Sequence, residues 1–195
     1  MVLIVVRHGR TEANQSGLLL GRADPALDSY GHRQAAALAD ALAPVDRVVA
    51  SPLRRTHQTA EAFGRPIEVD ERWIELDYGE WDGRPVADVP AETWAAWRAD
   101  ADYAPPGGES LAQLGARVHA ALDELASQAA DTTIVVVTHV SPVKATLAWA
   151  LGVGHEVAWR SFVATASVTR VAVGPGGPSL HGFNDVIHLE GLAAD

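Results

Sequence analysis

Cysteine is absent from this chain of 195 residues, which removes disulfide staples, thiolate nucleophiles and zinc-thiolate centres from consideration. Basic residues are scarce: 15 Lys and Arg stand against 25 Asp and Glu, a net charge of -10. The average field therefore repels nucleic acid and anionic lipid, and neither is expected as a partner. A small anion can bind only where local positive charge overrides that field. Long apolar runs are missing as well. MVLIVV meets Arg7 and His8 too soon for a signal peptide or a membrane span, so a cytoplasmic location is expected. The histidines form no HxH or HxxxH pair, so His32, His57, His119, His155, His181 and His188 read as surface or structural and no metal site is expected.

What is present is apolar and patterned. With 48% hydrophobic residues the chain can build a sizeable core, and its length suits one domain over 1–195. Val2 to Val6 is a β-branched run of the kind found in a parallel strand covered on both faces, and Val45 to Ala50 and Thr133 to Thr138 repeat it. Between the first two, residues 31–44 have the apolar spacing of an amphipathic helix capped by Asp28 or Ser29. Helices are also expected within 51–63, around Thr93 to Arg98, from Ser110 to 128, and from Pro142 to Leu151, with a short extended piece at Pro66 to Val69. Ser167 to Val173, a GPGG turn and Leu180 to Phe183 read as an antiparallel hairpin. The order predicts a three-layer α/β/α sandwich on a mostly parallel sheet, with the proline-rich segment 84–109 as a small lid.

Three of these strands end in similar chemistry. Arg7 and His8 follow the first, Ser51 to Arg55 the second, and His139 the strand at 133–138. Ligands of open α/β sheets bind off the carboxyl ends of the strands, where loops meet helix N-termini. Alone, a histidine after a strand is ordinarily a loop residue, and Arg54 with Arg55 at a helix start is ordinarily solvated charge. Together the two histidines, the arginines and the amide of Gly9 describe a pocket for a dianion such as phosphate.

RHGRTEAN (7–14) resembles the RHGxTxxN signature of the histidine phosphatase superfamily, also called the phosphoglycerate mutase-like family. SPLRRTHQTA (51–60), ELDYGEWDG (75–83), PGGES (106–110) and VVVTHVSP (135–142) are similar to its further motifs, in family order. The late FNDVIHL and the THVSPVK wording resemble the acid phosphatase or α-ribazole-phosphatase-like branch. The resemblance implies a cofactor-independent and metal-independent phosphomonoesterase acting on a small phosphorylated substrate. His8 would be the nucleophile; Arg7, Arg55 and His139 would neutralise the phosphate oxygens; Glu75 would be the acid and base. Thr11, Asn14 and Gly21 match positions lining the phosphate or substrate mouth. Val140 stands where the family often has Gly, its amide still available, and Arg10 stands where Glu or Gln is common.

A phosphoglycerate mutase is the alternative enzyme, and a non-catalytic phospho-ligand module a further one. A mutase needs cations for a substrate carboxylate and a larger closing cap. Between 84 and 109 the only basic residues are Arg84 and Arg98, set among five acidic ones, which favours hydrolysis. The module predicts loss of one of His8, Arg55, Glu75 or His139, and all are retained. Trp81, Trp94, Trp97 and Tyr103 flank the lid, either as core or as a wall for a ring-bearing leaving group.

Overall fold

A computed structural model describes residues 1–128 and 132–193. The strands are β1 (Val2–Arg7), β2 (Arg47–Ala50), β3 (Ile67–Val69), β4 (Thr133–Thr138), β5 (Val168–Gly174) and β6 (Gly177–Asp185). The α-helices are α1 (Glu12–Gln15), α2 (Ser29–Leu42), α3 (Arg54–Glu61), α4 (Ala91–Ala99), α5 (Leu111–Gln128) and α6 (Val140–Leu151). The strands form one mixed sheet in the order β3-β2-β4-β1-β5-β6. The pairs β1–β4, β2–β4 and β2–β3 are parallel, while β5 runs antiparallel to both β1 and β6.

Alternation along the strands sorts the core into two halves. Leu3, Val5, Ile134 and Val136 face Leu114, Val118 and Leu122 of α5 and Val143 of α6. Ile4, Val6, Val135 and Val137 face Leu38 and Leu42 of α2 and Ala60 of α3. Both faces of the central strands are covered, which is why their sequence reads as an unbroken apolar run. The result is the expected α/β/α sandwich with its antiparallel hairpin.

Among the boundaries that differ from the sequence reading, such as α2 at Ser29–Leu42 rather than 31–44 and β6 at Gly177–Asp185 rather than Leu180 to Phe183, two have clear local reasons. β2 starts at Arg47 rather than Val45, because Asp46 is tied to Thr133 by amide and carboxylate hydrogen bonds ahead of the ladder. α6 starts at Val140, directly after His139, rather than at Pro142. The proline occupies the first turn, where its missing N–H costs nothing. In the lid segment, α4 buries Trp97, which packs against Trp94, Tyr103, Tyr78 and Trp159. Among the described residues no helix is long and apolar enough to cross a membrane.

Candidate active site

Parallel pairing sets the site. Arg7 lies opposite Thr138, so His8 and His139 leave neighbouring strands at the same level. Their rings meet edge to face, centroids 5.2 Å apart. Ala50 lies opposite Val137, which carries Ser51 to the same edge and delivers Arg55 from the first turn of α3. His8, His139 and Arg55 are all buried.

Hydrogen bonds assign the imidazole tautomers. His8 Nδ1–H donates to the carbonyl of Gly9 at 2.7 Å, which leaves Nε2 as a bare acceptor. Arg55 Nε–H is shared between His8 Nε2 and His139 Nδ1, each at 3.2 Å. His139 then carries its proton on Nε2 and donates it to Ser51 Oγ at 2.8 Å. Two neutral imidazoles thus face one guanidinium.

The remaining Arg55 donors go to backbone: Nη1 to the carbonyl of Ala23 at 2.6 Å and Nη2 to that of Gly21 at 2.8 Å. Asp82 holds this loop from the other side. Its carboxylate accepts from the amides of Gly21, Arg22 and Ala23 at 2.7, 2.9 and 2.9 Å. A buried charge is tolerable only when fully hydrogen-bonded, and Asp82 presents the carbonyls that do this.

Glu75 is buried against the start of α6. Its oxygens accept from Val140 N–H at 3.0 Å and Ser141 N–H at 3.1 Å, and from its neighbour Leu76 N–H at 2.8 Å. The carboxylate serves as the cap that α6 lacks in its own N-cap residue, His139, and this explains why the helix starts so early.

Burial sets the charge states. Burial, then Arg55 and Arg7, pushes His8 well below the usual 6.5, and burial, Arg55 and His8 do the same to His139. Burial lowers Arg7 to about 10, opposed by Glu75, so it stays charged at neutral pH. Below pH 6.5 the unfolded chain takes up protons that the two native imidazoles refuse. Stability should therefore be full above 6.5 and fall as pH drops, by about 1.4 kcal/mol per pH unit for each imidazole. Thermal unfolding between pH 7.5 and 5 should show a falling Tm, with a shallower slope in His139→Gln. Equal slopes would remove these buried neutral histidines as the cause.

Several residues singled out in the sequence have other local partners. The amide of Gly9 donates to Thr59 Oγ1, and a Cβ at Gly9 would lie 2.5 Å from the Gly31 carbonyl oxygen, so this glycine serves a close approach to α2. Thr11 and Asn14 form the capping box of α1. Asn14 also lines a cavity of about 450 Å³ together with Arg7, Leu18, Val86 and Phe162. Gly21 contributes its carbonyl to Arg55 at 2.8 Å. The amide of Val140 is engaged by Glu75, and Val140 needs no positive φ. Arg10 adds no free charge, because Asp28 pairs with it at 2.7 Å. Ser51 stands at a strand end and Asp82 inside the 75–83 motif, but neither one's role at the site is legible in the sequence. Nothing in a DG or SP dipeptide announces three amides or an imidazole as partners.

The histidine phosphatase superfamily (branch 1) family model matches residues 3–186. The chain is 36% identical over 167 residues to phosphoserine phosphatase 1 of Hydrogenobacter thermophilus, covering 80% of this chain and 79% of that protein. It is 34% identical over 177 residues to a bifunctional protein of Mycobacterium tuberculosis, covering 86% of this chain and 49% of that one. It thus spans about half the length of the first curated relatives it matches. Among solved structures, a mutant phosphoserine phosphatase from Entamoeba histolytica in complex with phosphoserine is similar at TM-score 0.89 and 26% identity, over 96% of this chain and 98% of that one. Mycobacterial glucosyl-3-phosphoglycerate phosphatase, in complex with VO3, is similar at TM-score 0.85 and 30% identity, over 95% and 99%. Since the matched residues run from β1 through β6 and take in both histidine-bearing strands, the chain belongs to the histidine phosphatase superfamily (branch 1).

Proposed function

We propose that the chain is a phosphomonoester hydrolase acting on a small phosphorylated metabolite through a phosphohistidine at His8. The observation that carries this reading is the bare Nε2 of His8, locked by the Gly9 carbonyl and facing His139 across Arg55. A nucleophilic imidazole must present an unprotonated nitrogen at working pH, and burial keeps Nε2 unprotonated here, its lone pair accepting from Arg55 Nε–H until a phosphoryl group takes that place. Nε2 attacks phosphorus, the P–O bond to the alcohol breaks, and the leaving oxygen takes a proton from Glu75. Water, activated by Glu75, then attacks the phosphohistidine and returns the nitrogen lone pair.

Little covalent chemistry falls to the protein, so rate comes from positioning and charge. Arg7, Arg55 and His139 surround the transferring group in this scheme. Arg7 Nη1 donates to the Val163 carbonyl at 2.8 Å, while its Nε is buried with no hydrogen-bond partner among the described residues. An orphan cationic donor beside the nucleophile is the feature a phosphate oxygen would satisfy.

Hydrolysis is favoured over mutase transfer by the lid. Its two arginines lie over tryptophan rings, Arg84 over Trp81 at 5.1 Å and Arg98 over Trp159 at 5.6 Å, rather than forming a carboxylate clamp. Release of phosphate from a metabolite panel, with mutase activity followed in parallel, tests the reading. Glu75→Gln should slow alkyl phosphates about 10²- to 10⁴-fold, the span of general acid catalysis, and p-nitrophenyl phosphate much less in its first step. Equal losses for both would argue against Glu75 as the proton donor.

A further inference from the structure

The geometry points to a leaving-group subsite for an uncharged ring, built by Trp94, Trp97, Trp159 and Tyr78 on the Glu75 side of the catalytic pocket. It deepens the hydrolase reading above and rests on it. A cavity of about 160 Å³ is lined by these four aromatics together with Leu76 and Val140. A dry cavity of roughly 150 Å³ holds a benzene ring, so the space suits one ring system. Leu76 and Val140 adjoin Glu75 and His139 in sequence, and both donate their amides to the Glu75 carboxylate. The alcohol oxygen that receives a proton from Glu75 must leave on this side. Consecutive Leu18 and Leu19 divide this cavity from the one that reaches Arg7 and Asn14.

The walls offer aromatic faces and edges. Trp94 and Trp97 stack with centroids 5.5 Å apart, Trp159 meets Trp94 edge to face at 6.2 Å, and Tyr78 meets Trp97 likewise at 5.7 Å. Trp97 is fully packed and serves as the back of the box, whereas Trp94, Trp159 and Tyr78 are only partly buried. A ring entering there finds the offset and perpendicular partners that aromatic pairs prefer.

Charge argues against a carboxylate-bearing alcohol. Among the residues lining the cavity Lys144 is the one cation, and its Nζ already donates to the Ala158 carbonyl at 2.7 Å. Seating a carboxylate among tryptophans beside that single cation, one of whose three N–H donors is already held by Ala158, would leave its remaining lone pairs poorly compensated.

Benzyl phosphate, ethyl phosphate and O-phosphoserine, all alkyl monoesters, separate these possibilities by kcat/KM. The benzyl ester should exceed the ethyl ester about 30- to 100-fold, the worth of burying one ring, and phosphoserine should trail both. Trp94→Ala and Trp159→Ala should each cut the benzyl-to-ethyl ratio about tenfold, leaving ethyl phosphate within about threefold of wild type. Benzylphosphonate as a competitive inhibitor of the wild-type protein gives the same comparison without relying on either variant to fold. Preference for phosphoserine, lost in Lys144→Met, would overturn the ring subsite and leave the hydrolase standing. No phosphate release from any ester would overturn the hydrolase reading, and equal calorimetric affinities for benzyl- and ethylphosphonate would then overturn the subsite separately.

Discussion

Replacing His8 by alanine should lower kcat/KM for any phosphomonoester by about 10⁵- to 10⁶-fold, the scale on which loss of a covalent nucleophile is felt. The reaction would lose its intermediate, not merely a contact. Arg7, Arg55 and His139 would remain to bind phosphate, so the variant should still bind inorganic phosphate or vanadate while failing to trap labelled phosphohistidine after a rapid quench. Its fold should survive, because the His8 side chain contributes only a hydrogen bond to its neighbour's carbonyl, one from Arg55 and an edge contact with His139. Circular dichroism unchanged with turnover gone is the expected pair of results. Turnover within tenfold of wild type would remove His8 from the role of nucleophile.

The second large effect concerns Arg55. Arg55→Lys keeps a positive charge but cannot reach two imidazoles and two carbonyls at once, because an ammonium lacks the fork that donates to Gly21, Ala23, His8 and His139 together. A loss of about 10³-fold in kcat/KM is expected, at the lower end of what a transition-state arginine supplies. The loop at 21–23 would also lose its anchor. Leaving the buried Gly21 carbonyl unpaired costs about 1–3 kcal/mol, and so lowers Tm by several degrees in a chain of this size, whereas the Ala23 carbonyl can turn to water. Asp82→Ala should reproduce a weaker version of both effects, about tenfold in rate, because Asp82 acts on the same arginine only through the loop amides. Asp82→Asn, which retains one acceptor oxygen, should recover part of the loss. If Asp82→Ala lowers Tm and leaves kcat untouched, Asp82 supports the fold alone.

The two substitutions probe different layers of one construction. His8 is presented by a strand end, and its free nitrogen follows from a bond to the very next residue. Arg55 is presented by a helix, and its orientation depends on a loop thirty positions upstream and a carboxylate nearly as far downstream. Errors in the first would be local. Errors in the second travel through Asp82, the 21–23 loop and the guanidinium before they reach the imidazoles.

How much of this was legible varies by residue, and the variation has a physical pattern. His8, Arg55 and His139 are legible because each directly follows, or soon follows, an apolar strand, and an unbroken β-branched run is a property of the sequence itself. The meeting of His8 with His139 needed β1 and β4 to be neighbours in register, which the parallel reading of the two strands allows but does not itself give. Gly9 and Val140 were chosen for their amides, and the structure directs both amides elsewhere, to Thr59 and to Glu75. No side chain announces where its own N–H points. Gly21 was marked as a mouth residue, yet its carbonyl binds Arg55 and a Cβ there would lie 2.9 Å from the Leu76 carbonyl oxygen. Trp94 and Trp97 are seen from the sequence to flank the lid, but only packing shows Trp97 buried at the back of the cavity, Trp94 partly exposed on its wall, and Trp159 joining them from outside the lid.

The amino-acid order alone determined the covered parallel strands, the helices between them, and the placing of basic and imidazole side chains at strand ends. These follow from short-range periodicity and from the chemistry of each residue. Tertiary structure decided the tautomer of each histidine, the carboxylate that caps α6 and the loop that holds Arg55. Such features depend on the directions of donors and acceptors, whether the partner is the next residue, as for His8, or lies 84 positions away, as for Arg55 and His139, and direction is a property of the folded arrangement rather than of the residue.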